Sequence, residues 1–180
     1  TPGAAPVYLE FDQESFTIDN STPEYFSFSA GLYVGDADHL VDNLHGISLN
    51  FDYPIGLTVP HSITVDYNDD AFLGHSEDLL TVRRDLLEFG QGRYDLAWSQ
   101  KSGAGSSGHS RLATVNFIVS ADIIMGRSVP ETPFPTQVNG VYLIDADGDT
   151  LDYDLPGGDT LLIYDQTLAN DELLPGEVGT

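Results

Sequence analysis

Ile47-Ser48-Leu49-Asn50-Phe51-Asp52-Tyr53-Pro54 alternates large apolar residues with small polar or acidic ones and then meets a proline. A period of two sends successive side chains to opposite faces of a pleated strand. Ile47, Leu49, Phe51 and Tyr53 therefore share one face, and Ser48, Asn50 and Asp52 the other. Pro54 has no amide proton for a sheet neighbour and closes the run. The stretch predicts a half-buried β-strand.

The same signature recurs on both sides of it. Val7 to Phe11 reads as a first strand, followed by a short apolar group at Phe16 and Ile18. Tyr25 to Val34 mixes alternation with a continuous apolar stretch. Gly35 to Asn43 reads as an acidic loop. Ser62 to Tyr67, Arg93 to Ser99, Leu112 to Val119, Val138 to Ile144 and Leu161 to Tyr164 complete the predicted set, with a hairpin between about Tyr142 and Tyr153. Gly103 to Gly108 is a small-residue loop. Short apolar runs punctuated by Gly, Pro, Asn and Asp predict an all-β domain. No repeat at solenoid or propeller spacing is present.

At 180 residues, 41% of them hydrophobic and 11% aromatic, the chain suits one domain with an ample core. Six Lys and Arg stand against 29 Asp and Glu, a net charge of −23. Such a surface repels phosphate, which excludes nucleic acid and disfavours insertion at an anionic membrane. It suits salty water, divalent cations or both. There is no cysteine, so disulfides and thiolate metal sites are excluded. Residues 1–6 and 166–180 read as linkers around a domain spanning residues 7–165, as expected of a segment of a longer, secreted polypeptide.

Three acidic loops are candidate calcium sites, because Ca²⁺ takes six to eight oxygen ligands and closely spaced Asp residues supply several. The sharpest is Asp145-Ala146-Asp147-Gly148-Asp149, with Asp145, Asp147 and Asp149 as ligands. It is no EF-hand loop: counted from Asp145, the glycine and the bidentate acid would fall on Thr150 and Pro156. A hairpin with a two-residue Asp-Gly turn competes with calcium here and is preferred, although the two readings are compatible. Asp36, Asp38, Asp42 and Asn43 form a second loop, and Asp66, Asn68, Asp69 and Asp70 a third; turn chemistry explains each of these as well and is preferred for either taken alone. Trp98 and Tyr94 are candidates for a flat sugar-binding platform. They share a face with Leu96, which favours a core role instead.

A catalytic constellation does not emerge. The histidines at 39, 45, 61, 75 and 109 lack metal-ligand spacing. Ser106-Ser107-Gly108-His109-Ser110 is not a nucleophile elbow. Carboxylate pairs of glycosidase type arise by chance among 29 acids and signal nothing.

Three stretches carry a family resemblance. They are Phe26 to Val34 with the acidic loop and Leu44-His45-Gly46-Ile47-Ser48-Leu49-Asn50-Phe51-Asp52-Tyr53-Pro54; Gly92 to Ser99 with the glycine-rich loop; and Ser110 to Val119. From about residue 24 to 164 the chain resembles cohesin-like β-sandwich modules, related in fold to cellulose-binding modules, of the kind found in large adhesin-like surface proteins of the Bacteroidetes. The resemblance implies a two-sheet antiparallel, jelly-roll-like sandwich of about nine strands. It also favours strand over helix for residues 76–90, where Ser76-Glu77-Asp78 before an apolar run resembles a helix cap. It implies a non-catalytic extracellular module serving adhesion, scaffolding or assembly, with neighbouring modules, further copies, or a surface protein or glycan as partners. Dockerin recognition by true cohesins relies on one sheet face, which this sequence does not match residue by residue. The alternative is a carbohydrate-binding module.

Overall fold

A computed structural model describes residues 3–68, 70–88 and 91–168. Thirteen strands run through them: β1 (Ala5–Phe11), β2 (Ser15–Ile18), β3 (Tyr25–Val34), β4 (Val41–Tyr53), β5 (Thr64–Asp66), β6 (Leu79–Glu88), β7 (Gln91–Gln100), β8 (Ser106–Gly108), β9 (Ser110–Ser120), β10 (Glu131–Asp145), β11 (Thr150–Leu151), β12 (Tyr153–Asp154) and β13 (Asp159–Asp165). One short helix, α1 (Ala121–Gly126), follows β9, and a 3-10 turn at Ser76–Asp78 precedes β6.

The strands form two stacked sheets. The smaller has the order β12-β1-β3-β9-β5; the larger runs β2-β13-β10-β4-β7-β6, with β11 beside β10 and β8 beside β4. Alternate residues of β3, β4, β7 and β9 point into the space between the sheets and are buried. Six phenylalanines at 11, 26, 28, 51, 117 and 134 fill its centre. Phe134 meets Phe28 edge-on at 5.0 Å and Phe117 at 5.2 Å, the tilted geometry that ring quadrupoles favour.

The predicted sandwich is present, with differences in detail. Most pairings are antiparallel, but β1 lies parallel to β12 and β2 parallel to β13, so both sheets are mixed. Those parallel pairs arise because the N-terminal segment crosses from one sheet to the other after Phe11, whose amide donates to Asp159 at 2.8 Å. The strand count exceeds nine because short ladders flank the main ones. Strand β4 begins at Val41, inside the expected acidic loop: Val41 is buried and pairs with Gly108 of β8, inside the expected glycine-rich loop. Strand β1 starts at Ala5, which is buried and paired with Tyr153. Residues 79–88 are strand rather than helix, while the expected tail from 169 onward lies outside the described residues. Helix α1 went unforeseen, although Ser120 caps it by accepting from the Ile123 amide and Asp122 sits in its first turn.

Candidate docking surface

The strands β10, β4, β7 and β6 lie side by side, and their register lines up outward-facing residues in rows. One row is Ile144, Gly46, Ser99 and Leu80; the next is Tyr142, Ser48, Ala97 and Val82. The two central strands thus present Gly, Ser and Ala, while the flanking strands present large apolar side chains. Small residues between large ones leave a trough, of about 420 Å³, lined by these residues. Its rims are open to solvent: Leu80 is 60% exposed, Val82 68% and Tyr142 55%. Solvated apolar groups aligned along one sheet face mark an interaction site more than scattered ones do.

Two glycines shape the trough. A Cβ on Gly46 would stand 3.1 Å from Ser99 Cβ and 3.2 Å from Ile144, so any side chain there would press on both neighbours and make the floor shallower. Gly140, at φ +57°, is the extra residue of a β-bulge between Asn139 and Tyr142. Strict alternation from Asn139 would turn Val141 outward. The bulge buries Val141 and delivers Tyr142 to the rim.

Further along the face the character changes. The next rows are Asn139, Asn50, Asp95 and Arg84, then Gln137, Asp52, Arg93 and Leu86. Asp95 accepts from Arg84 at 3.0 Å and from Arg93 at 3.2 Å, and Asn139 donates to Asp52 at 3.0 Å. A second groove of about 510 Å³ runs here and shares Ser48, Val82 and Ala97 with the first. Arg84 and Arg93 are two of only six Lys and Arg in the chain, and both are paired here with Asp95, so this end of the face is ion-paired rather than apolar.

Trp98 and Tyr94, the candidates for a sugar platform, are each 3% exposed. Trp98 packs 5.1 Å from Tyr67, and Tyr94 stacks on Phe51 at 5.4 Å. Both belong to the core, because the outward positions of β7 are Arg93, Asp95, Ala97 and Ser99. No exposed platform can be built from them.

Two of the acidic loops adjoin, since Ala146 donates to the Asn43 carbonyl at 3.1 Å. Their carboxylates are engaged locally. Asp36 accepts from the amides of Asp38 and His39 at 2.9 and 2.7 Å, and Asp42 from Ser107 Oγ at 3.1 Å. Asp145 accepts from the amides of Asp147 and Asp149, both at 2.9 Å. The hairpin is present with Leu143 opposite Leu151, but its turn is longer than the expected two residues: Asp145 bonds Asp149 across Ala146, Asp147 and Gly148. Gly148, at φ +89°, takes the left-handed position that such a loop needs. Asp38, Asp147 and Asp149 reach no shared centre with the others: among the described residues no three His, Asp or Glu side chains group to hold a metal ion. In the third loop, Asp66 and Asn68 cap local amides, and Asp69 lies outside the described residues. Ser106 Oγ donates to the Phe72 carbonyl and Ser107 Oγ to Asp42, so both hydroxyl protons are committed away from His109.

One polar contact went unseen in the sequence. The buried Tyr53 hydroxyl donates to Asp85 of β6, tying the sheet's edge to its centre. Burial, and then Asp85 beside it, push the Tyr53 hydroxyl well above the usual phenol range.

Neither a protein-family model nor a curated protein matches the chain. Solved structures do. A non-cellulosomal cohesin from the hyperthermophilic archaeon Archaeoglobus fulgidus is similar at TM-score 0.55 and 17% identity, covering 94% of this chain and 97% of that one. A type I cohesin–dockerin complex from Clostridium thermocellum matches at TM-score 0.58 and 9% identity, covering 90% and 94%. The cohesin module of a Clostridium perfringens family 33 glycoside hydrolase matches at TM-score 0.55 and 15% identity, covering 90% and 99%. The fold is cohesin-like.

Proposed function

We propose that this chain is a non-catalytic protein-docking module of an extracellular surface or scaffold protein, and that the outer face of β10, β4, β7 and β6 receives its partner. The observation that carries the reading is the trough. Two rows of side chains place Leu80 and Val82 on one rim, Tyr142 and Ile144 on the other, and only Gly, Ser and Ala between them. Filling it removes the exposed apolar rims from water at about 25 cal/mol per Å², and the desolvated centre of such a patch is where binding energy concentrates. One of the similar structures is a cohesin bound to a dockerin, so a module of that kind belongs among the partners to test. The cohesin-like fold and the committed hydroxyls of Ser106 and Ser107 both support a non-catalytic job.

The test is affinity capture from the secreted fraction of the producing organism, with wild type beside a Leu80→Asp, Val82→Asp double variant. Two charges in the trough should lower recovery of the true partner at least about tenfold, the equivalent of about 1.4 kcal/mol. Equal recovery by both proteins would place the docking surface elsewhere.

A further inference from the structure

Natural sheets guard their edges by keeping edge strands short. Three edges of this sandwich obey: β2 has four residues, β12 two and β5 three. The fourth does not. Strand β6 is ten residues long and carries exposed Leu80, Val82 and Leu87.

Its free hydrogen-bonding groups can be assigned. Lys101 N donates to the Asp78 carbonyl at 2.9 Å at one end of the β6–β7 ladder, which runs without a register shift to Glu88 opposite Gln91. Bonded and non-bonded pairs alternate in an antiparallel ladder. Leu80, Val82, Arg84 and Leu86 therefore exchange bonds with β7. The amides and carbonyls of Thr81, Arg83 and Asp85 point away from the sheet.

We propose that β6 pairs antiparallel with β6 of a second copy about a two-fold axis through Arg84, joining two large sheets edge to edge. In this register Arg83 faces Asp85 of the second copy, and Val82 faces its Leu86, each contact occurring twice as an isologous interface requires. Arg84 faces itself, but each guanidinium is held by its own Asp95 at 3.0 Å. The neighbouring registers are worse: an axis through Arg83 opposes two arginines on that row without a carboxylate, and one through Asp85 opposes two carboxylates. Asp85 adds an independent reason. Its second oxygen is buried with no hydrogen-bond partner among the described residues, and the imidazole of His61 stops 3.9 Å away. Arg83 of the second copy brings a permanent cation to that edge.

Two bodies of charge −23 repel each other at long range. The screening length falls from about 10 Å at about 0.1 M salt to about 3 Å at about 1 M, whereas main-chain bonds and apolar contacts at the seam are little affected. Assembly should therefore strengthen with salt.

Sedimentation velocity of the whole chain from about 0.1 to about 1 M NaCl tests this. The expected result is a shift from monomer towards dimer as salt rises. Thr81→Pro removes an outward amide that β7 does not use, a substitution edge strands tolerate. Arg83→Asp sets two carboxylates opposite each other. Both variants should weaken the dimer at least tenfold, and Thr81→Pro, which changes no charge, should do so while melting like the wild type. In the wild-type dimer the amides of Thr81, Arg83 and Asp85 should exchange more slowly than in the monomer, a readout independent of any variant. A monomer at every salt concentration, a dimer retained in both variants, or unchanged exchange at those three amides would overturn the proposal.

Discussion

Tyr53 illustrates how much one residue of the alternating strand is asked to do. Its ring is buried against Phe51 and Phe117, and Gly92 on the next strand packs so closely that a Cβ there would overlap it, 2.4 Å from the ring. Its hydroxyl donates to the Asp85 carboxylate, a charge-assisted bond worth about 1.5–3 kcal/mol. Tyr53→Phe should lower unfolding stability by that amount, measured by urea denaturation. The pH dependence has a definite sign. Tyr53, Tyr67 and Tyr94 are all raised, chiefly by burial, so they stay neutral in the folded state after unfolded tyrosines ionise at about pH 10. Their contribution is fully present below pH 10 and is lost as pH climbs toward the folded values. Denaturation curves between pH 9 and 12 should show stability falling, less steeply in Tyr53→Phe. Period two told that Tyr53, Tyr94 and Trp98 face inward with their neighbours. The Asp85 partner, 32 residues from Tyr53, has no local signature.

At the scale of elements, β10 shows where reading by alternation stops. Its inward residues Phe134, Val138, Val141 and Leu143 do not keep one parity, because Gly140 inserts a residue between Asn139 and Val141. That bulge sends Tyr142 to the trough. Its backbone lies at φ +57°, and a Cβ would come 2.7 Å from Asn50 Nδ2. Gly140→Ala should cost about 1–2 kcal/mol from the left-handed backbone alone, and nuclear magnetic resonance shifts of Tyr142 and Asn50 should move with it. Leu79 to Glu88 shows a different limit. Its apolar spacing fits one face of a helix nearly as well as a strand, and pairing with β7 over ten consecutive residues decides the matter.

For the whole molecule the governing number is the charge. A net −23 repels itself within one fold as well as between copies. Thermal melting should therefore move upward with NaCl, by roughly 2–4 °C for each kcal/mol of repulsion screened, in a chain of this length. A melting temperature that falls over the same range would mean that salt-sensitive ion pairs, such as the one joining Arg111 and Asp12, outweigh the repulsion. No helix among the described residues is long and apolar enough to cross a membrane.

Alternation, turn residues and composition determined that this chain builds layered sheets and that Phe51, Tyr53, Tyr94 and Trp98 lie on inward faces. Those properties are set by neighbours within a few positions along the chain. The docking trough, the free edge and the Tyr53–Asp85 bond were decided only by the tertiary structure. Each depends on which strands lie side by side and in what register, and pairing of distant segments is a property of the folded sheet rather than of any single run of residues.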